Sequence, residues 1–211
     1  ANGNNNLNIQ GFTLPTGITL QQLENRNNLL QAFDNTFQQL DNSCDLMNGM
    51  DSFHRQAVEI LSSNSTRDAF NLNQESNETK TRYGNTPFGR SVLTARRLIE
   101  AGVRFVTVTT GGWDTHAQNF TRLRNNLLPP VDTALSALIA DLDQRGKLGS
   151  TIVMCAGEFN RTPRINNNAG RDHWARSMSC VLAGGGFRRG HVHGSTDTSG
   201  MAPATDPCTP D

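Results

Sequence analysis

VRFVTVTTGGWDTH, residues 103–116, is the stretch on which the fold class turns: a β-branched, apolar run that ends on two glycines and delivers an aspartate and a histidine. Val103 to Thr109 reads as a buried strand. Just upstream, Thr86 offers a cap, Pro87 a first helical position and Gly102 a stop, so a helix feeds straight into that strand. Downstream, Val131, Leu135, Leu138 and Leu142 recur at helical spacing within Val131 to Arg145. Thr151 to Ala156 is a second short apolar run of the kind that fills a parallel sheet. A third, Met178 to Ala183, is closed by Gly184, Gly185 and Gly186. From residue 87 onward the order is therefore helix, strand, helix, strand, loop, strand, the pattern of an α/β, mainly parallel sheet with flanking helices. The three runs are expected in one sheet, with at least the first two parallel.

Residues 1–86 stand outside that pattern and read as a helical accessory segment, while residues 87–211 form the α/β region of the same domain. Thr19 and Gln22 fit a capping box, and Leu23, Leu30, Phe33, Phe37 and Leu40 share one helical face. A second helix carries Leu46, Met50, Phe53, Ala57 and Ile60, with Gly49 inside it and His54 as a structural side chain. The Asn-rich start at Ala1 and the proline-rich end, with Pro203, Pro207 and Pro210 in a loop, suggest a chain that continues beyond both ends.

Charge and composition narrow the partners. With 19 basic and 19 acidic residues among 211 there is no net charge and no basic stripe to follow a phosphate backbone, which argues against nucleic acid. No run of about eighteen apolar residues exists to span a membrane. The four cysteines, Cys44, Cys155, Cys180 and Cys208, lack the C-x-x-C spacing of a zinc site. Cys155 and Cys180 lie in apolar runs and are expected as small buried residues, and a Cys44–Cys208 bridge is open. Sequons stand at Asn64, Asn77, Asn119 and Asn160.

In an open α/β sheet, ligands gather at the carboxyl ends of the strands. Three loops there carry metal-binding side chains. The first strand runs into Asp114 and His116, the second into Glu158 and Arg161, and a loop ahead of the third brings Asp172 and His173. Carboxylate with imidazole suits a divalent ion such as zinc. Each pair alone is weak; three at neighbouring strand ends, framed by glycine and by Trp113 and Trp174, describe a partly shielded metal pocket. His191 and His193 alternate on one face of a short strand and are expected to be solvated.

The runs GGWDTH, EFNRTP and GRDHW, with YGNTPFG and ARRLIEAGVRFVTV upstream, resemble an exported bacterial family, the domain-of-unknown-function 1501 proteins, grouped with alkaline phosphatases and sulfatases. The likeness spans roughly residues 14–206. It implies an alkaline-phosphatase-like fold, export to the periplasm, cell surface or extracellular space, and two metal ions beside an anionic ester. By analogy, Asp114, His116 and His173 would share one ion, Glu158 and Asp172 would hold the second, and Arg161 would clamp the ester or form a salt bridge to one of these acids. Zinc is the first expectation, with manganese or calcium as alternatives. Asn160 replaces the glycine usual in this motif. The family's nucleophile lies in an N-terminal half not represented here, and the remaining segments of the same protein are the implied partner.

The resulting expectation is part of a metal-dependent hydrolase of phosphate or sulfate esters. The competing reading is a non-catalytic extracellular structural or interaction protein that keeps the fold. A serine hydrolase lacks support, because no G-x-S-x-G turn is present.

Overall fold

The computed structural model describes residues 64–208 together with residues 19, 21, 22, 25, 28 and 29. The expected faces of Leu23 to Leu40 and Leu46 to Ile60, with His54 and Cys44, lie outside the described residues. Their entrance does not: Thr19 N–H donates to Gln22 Oε1 at 2.9 Å, and Gln22 N–H to Thr19 Oγ1 at 3.2 Å, the reciprocal bonds of a capping box.

The chain divides into two units, one comprising Ala1–Glu75 with Arg97–Val106 and the other Ser76–Arg96 with Thr107–Asp211. In the first, α1 (Asn64–Ala69) leads to a 3-10 turn at Leu72–Gln74. The Arg97 guanidinium gathers these pieces, donating to Ala69 O at 2.9 Å and Asp68 O at 2.8 Å and pairing with Glu75. Ala69, Leu72 and Leu98 are buried there.

The second unit contains α2 (Asn77–Arg82) and most of α3 (Pro87–Glu100). Thr86 caps α3, its Oγ1 accepting from Gly89 N–H at 3.0 Å. Gly89 has no Cβ for a reason: one would stand 2.2 Å from Tyr83 O. The helix ends as the sequence suggests. Gly102 takes φ +95°, its N–H reaches Ile99 O, and Val103 N–H reaches Leu98 O, a Schellman closure.

Further on come α4 (Asn119–Arg122), a π turn at Leu123–Leu127, and α5 (Leu128–Gln144). The expected leucine stripe of α5 is only part of its inner face. Ala134, Ala137, Asp141 and Leu142 are buried, while Leu135 and Leu138 are half-buried. Asp141 is the meeting point of three helices. It accepts from Tyr83 Oη at 2.9 Å and Arg145 Nε at 2.9 Å, and pairs with Arg82 at 2.9 Å and Arg96 at 3.2 Å.

The strands are short: β1 (Ile152–Ala156), β2 (Asn160–Arg161), β3 (His173–Trp174), β4 (Cys180–Gly184), β5 (Ser195–Thr196) and β6 (Pro203–Thr205). They make three antiparallel pairs, β1 with β4, β2 with β3 and β5 with β6. Mixed helices and strands agree with an α/β class, but the arrangement differs from the expected single sheet. Val103 to Thr109 forms no ladder among the described residues, and the second and third runs pair antiparallel. The physical reason for the latter lies in residues 157–179: they contain no helix, whereas a parallel return needs a crossover of about a dozen residues, usually helical.

Two smaller differences follow from the open β1–β4 pair and the C-terminal ladder. Cys180 is exposed and Cys155 half-buried, not core residues, and Cys208 carries a free thiol. The expected terminal loop contains β6, and His191 and His193 sit in exposed non-strand chain with ring centroids 6.1 Å apart.

Candidate metal centre

Two segments build the centre, residues 113–119 and 159–174, and both belong to the second unit. They are laced together through the backbone. Arg171 N–H donates to Thr115 O at 3.1 Å, Gln118 N–H to Asn168 O at 3.0 Å, and Asn119 N–H to Ala169 O at 2.9 Å. Gln118 and Ala169 hold left-handed backbone, φ 49° and 53°, a conformation that non-glycine residues adopt at a cost of about 1–2 kcal/mol. Gly170 permits the closest approach, since a Cβ there would fall 1.9 Å from His116 O. Thr115 and Asn119, both buried, face each other behind the loop and anchor its turn.

The second segment is folded on itself. In β2–β3, Arg161 lies opposite His173 and Asn160 opposite Trp174. Thr162 N–H donates to Asp172 O at 2.9 Å and Asp172 N–H to Thr162 Oγ1 at 3.0 Å. Trp174 Nε1–H reaches Met201 O at 2.9 Å. Asn160 accepts from Arg161 N–H at 3.0 Å through its own Oδ1.

This scaffold brings Asp114, His116 and His173 into one cluster. His116 Nε2 and His173 Nε2 are 3.2 Å apart, and each faces Asp114 Oδ1, at 3.0 and 2.9 Å. A tetrahedral zinc site with bonds near 2.0–2.1 Å has edges of about 3.3 Å between ligand atoms. The triangle therefore fits one face of such a site, and the side chains, 46–65% exposed, leave the remaining direction open. The donor set, two imidazoles and one carboxylate, is also that of a zinc or related divalent ion.

Around the triangle stand two further predicted residues. Asp172 does not join the three atoms; its Oδ1 accepts from His116 Nδ1 at 2.7 Å and Asn166 Nδ2 at 3.1 Å. Arg161 Nη2 donates to Asp114 Oδ1 at 2.6 Å, the salt bridge foreseen as one of its two options. Glu158 lies exposed in the turn after β1 and is not among the clustered groups. Sequence reasoning missed Asn166, which also donates to His116 O at 3.0 Å, and Phe159, whose ring lies 4.5 Å from that of His173. The aromatic in EFNRTP was a legible hint for the second; nothing in the asparagine-rich loop distinguished the first.

Hydrogen bonds shape the charges. That from His173, then that from Arg161, lowers the Asp114 carboxyl to about 2. Asp172 is likewise held below the ordinary carboxylate range, first by His116 and then by Asn166. Both acids are therefore anionic at neutral pH, as metal binding or imidazole orientation requires.

The whole chain, residues 1–211, matches the profile of a family described as "Protein of unknown function (DUF1501)". No curated protein and no solved structure matches it.

Proposed function

The chain belongs to the DUF1501 family of proteins of unknown function, and from that footing we propose that it is the metal-site region of a divalent-metal-dependent hydrolase acting on phosphate or sulfate esters. One observation carries the reading: Asp114 Oδ1, His116 Nε2 and His173 Nε2 converge with edges of 2.9–3.2 Å from loops almost sixty residues apart in the chain. Three such donors with an open side suit a working ion better than a closed structural one.

When bound, a zinc-like ion would polarise an ester oxygen or lower the pKa of the attacking group. The residues of this chain do the rest. Asp114, His116 and His173 would hold the ion, and Asp172, bonded to His116 Nδ1, orients that ring and keeps the Nε2 lone pair turned to the centre. Arg161 supplies a planar fork suited to sulfate or phosphate oxygens. A second ion held by Glu158 and Asp172 is not needed for this reading.

Kinship with the alkaline phosphatase and sulfatase superfamily rests in this proposal on the motifs alone, since the described strands pair antiparallel. Export rests on the same resemblance. No helix among the described residues is long and apolar enough to cross a membrane.

The test is a panel of aryl phosphates, phosphodiesters and aryl sulfates offered to the full-length protein with zinc, manganese or calcium, with and without chelator. Turnover of at least one ester should vanish with chelator and with His173→Ala, while the variant keeps its melting temperature. Turnover indifferent to both changes would sink the reading. A protein shown to hold metal but inert on every ester would be the non-catalytic scaffold.

A further inference from the structure

Asp114 Oδ1 stands close to three nitrogens. Arg161 Nη2 approaches it to 2.6 Å, His173 Nε2 to 2.9 Å and His116 Nε2 to 3.0 Å. An ion placed among the three donors would need this oxygen and would stand close to the Arg161 guanidinium. Two positive centres so near one another repel. Arginine cannot relieve that repulsion by losing its proton; it can only move.

Its remaining ties permit this. The other contact of the fork, Nη1 to Arg171 O, is a long 3.4 Å, and the guanidinium carbon lies 5.9 Å from the Phe159 ring centroid, a surface on which it can pivot. Its backbone is held in place, because Arg161 is paired with His173 across β2–β3 and the adjoining Thr162 and Asp172 are bonded to each other. A guanidinium released from Asp114 therefore stays beside the metal position with its fork free.

Resting on the metal-site reading above, we propose that Arg161 is a switch: it competes with a divalent ion for Asp114, and metal entry displaces it to receive a tetrahedral oxyanion. Metal and oxyanion then bind in order, and one side chain opposes the first while favouring the second. That opposition of signs separates a switch from a residue that merely braces Asp114.

The experiment measures zinc affinity by competition with a chromophoric chelator, and inorganic phosphate affinity of the zinc-loaded protein by calorimetry, on the full chain and on Arg161→Gln and Arg161→Lys. For the neutral Gln variant, zinc should bind about tenfold more tightly without phosphate, and phosphate about tenfold more weakly with zinc, a coupling within the usual allosteric range. The Lys variant, which keeps the charge, should stay near wild type for zinc. Zinc binding by Arg161→Gln that is unchanged or weaker would overturn the switch and leave the metal site standing. Wild-type protein that binds no zinc would remove the functional reading itself. Should the Gln variant fail to fold, nitrogen-15 spectra of the wild-type guanidinium decide: Arg161 should gain mobility when zinc is added and lose it again with phosphate, and a signal unmoved by zinc would refute the proposal.

Discussion

Asp172 and His173 are neighbours with different relations to the cluster. His173 opens β3 and turns Nε2 into the triangle, whereas Asp172 accepts from the far nitrogen of His116. Successive side chains of extended chain point to opposite faces. Replacing Asp172 with Asn should weaken zinc binding about 10–100-fold, the usual effect of losing a carboxylate that orients a ligating imidazole, with little change in melting temperature. Equal zinc affinity in a competition titration would show that His116 needs no such partner. The sequence displayed the Asp-x-His and Asp-His pairs plainly, but it could not assign their roles. Which of two adjacent residues faces the centre depends on the pairing of Arg161 with His173, and that pairing is set by reciprocal hydrogen bonds between Thr162 and Asp172 that no spacing rule reveals.

At the level of helices, Asp141 joins α2, α3 and α5. Its side chain is 4% exposed and that of Arg96 1%. Burial alone would push the Asp141 carboxyl up, but hydrogen bonds from Arg145 and Tyr83 and the Arg96 and Arg145 charges outweigh it, and the group sits below its ordinary range. Asp141→Asn removes the buried carboxylate charge that pairs with Arg96 and should cost about 3–5 kcal/mol, the usual scale for a broken buried pair; urea denaturation reads the loss. The pH dependence has a definite sign. A depressed folded-state pKa means that the stability from Asp141 is complete above the unfolded carboxylate value near 3.9 and declines as pH falls below it toward the folded value. Wild type should therefore lose stability more steeply than Asp141→Asn on acidification below about pH 4. The helix ends at Thr86 and Gly102 were legible because caps are local chemistry. Asp141 was not, since an acid on an amphipathic helix reads as solvent-facing until its arginines, distant in the chain, are in place.

At the scale of the molecule, zero formal charge and a pI near 7.2 coincide with an apolar surface exposed among the described residues. Ile152, Met154 and Leu182 share one face of β1–β4 and are 61%, 60% and 40% exposed. Neither electrostatic repulsion nor a covering layer among the described residues opposes contact between copies. The 211-residue chain should associate reversibly near pH 7, and Met154→Lys with Leu182→Lys should shift sedimentation toward monomer while leaving zinc affinity intact. Concentration-independent sedimentation of the wild type would show that face to be covered. The sequence announced these apolar runs as strands, and two of the three are strands; their partners and directions depended on long-range pairing that periodicity does not encode.

The β2–β3 ladder has only two residue pairs, too few to specify their own alignment. A slip by one residue would exchange the faces of every side chain it carries, so a misaligned chain could remain folded and helical while His173 pointed away from His116. Proofreading falls to the Thr162 clasp on Asp172 and to the Trp174 bond to Met201. Thr162→Val, which removes the acceptor for Asp172 N–H, should then yield protein with normal melting but less than one zinc per chain, and the shortfall should vary with refolding conditions. Zinc stoichiometry in this chain would thus count correctly folded molecules, where circular dichroism would count all of them.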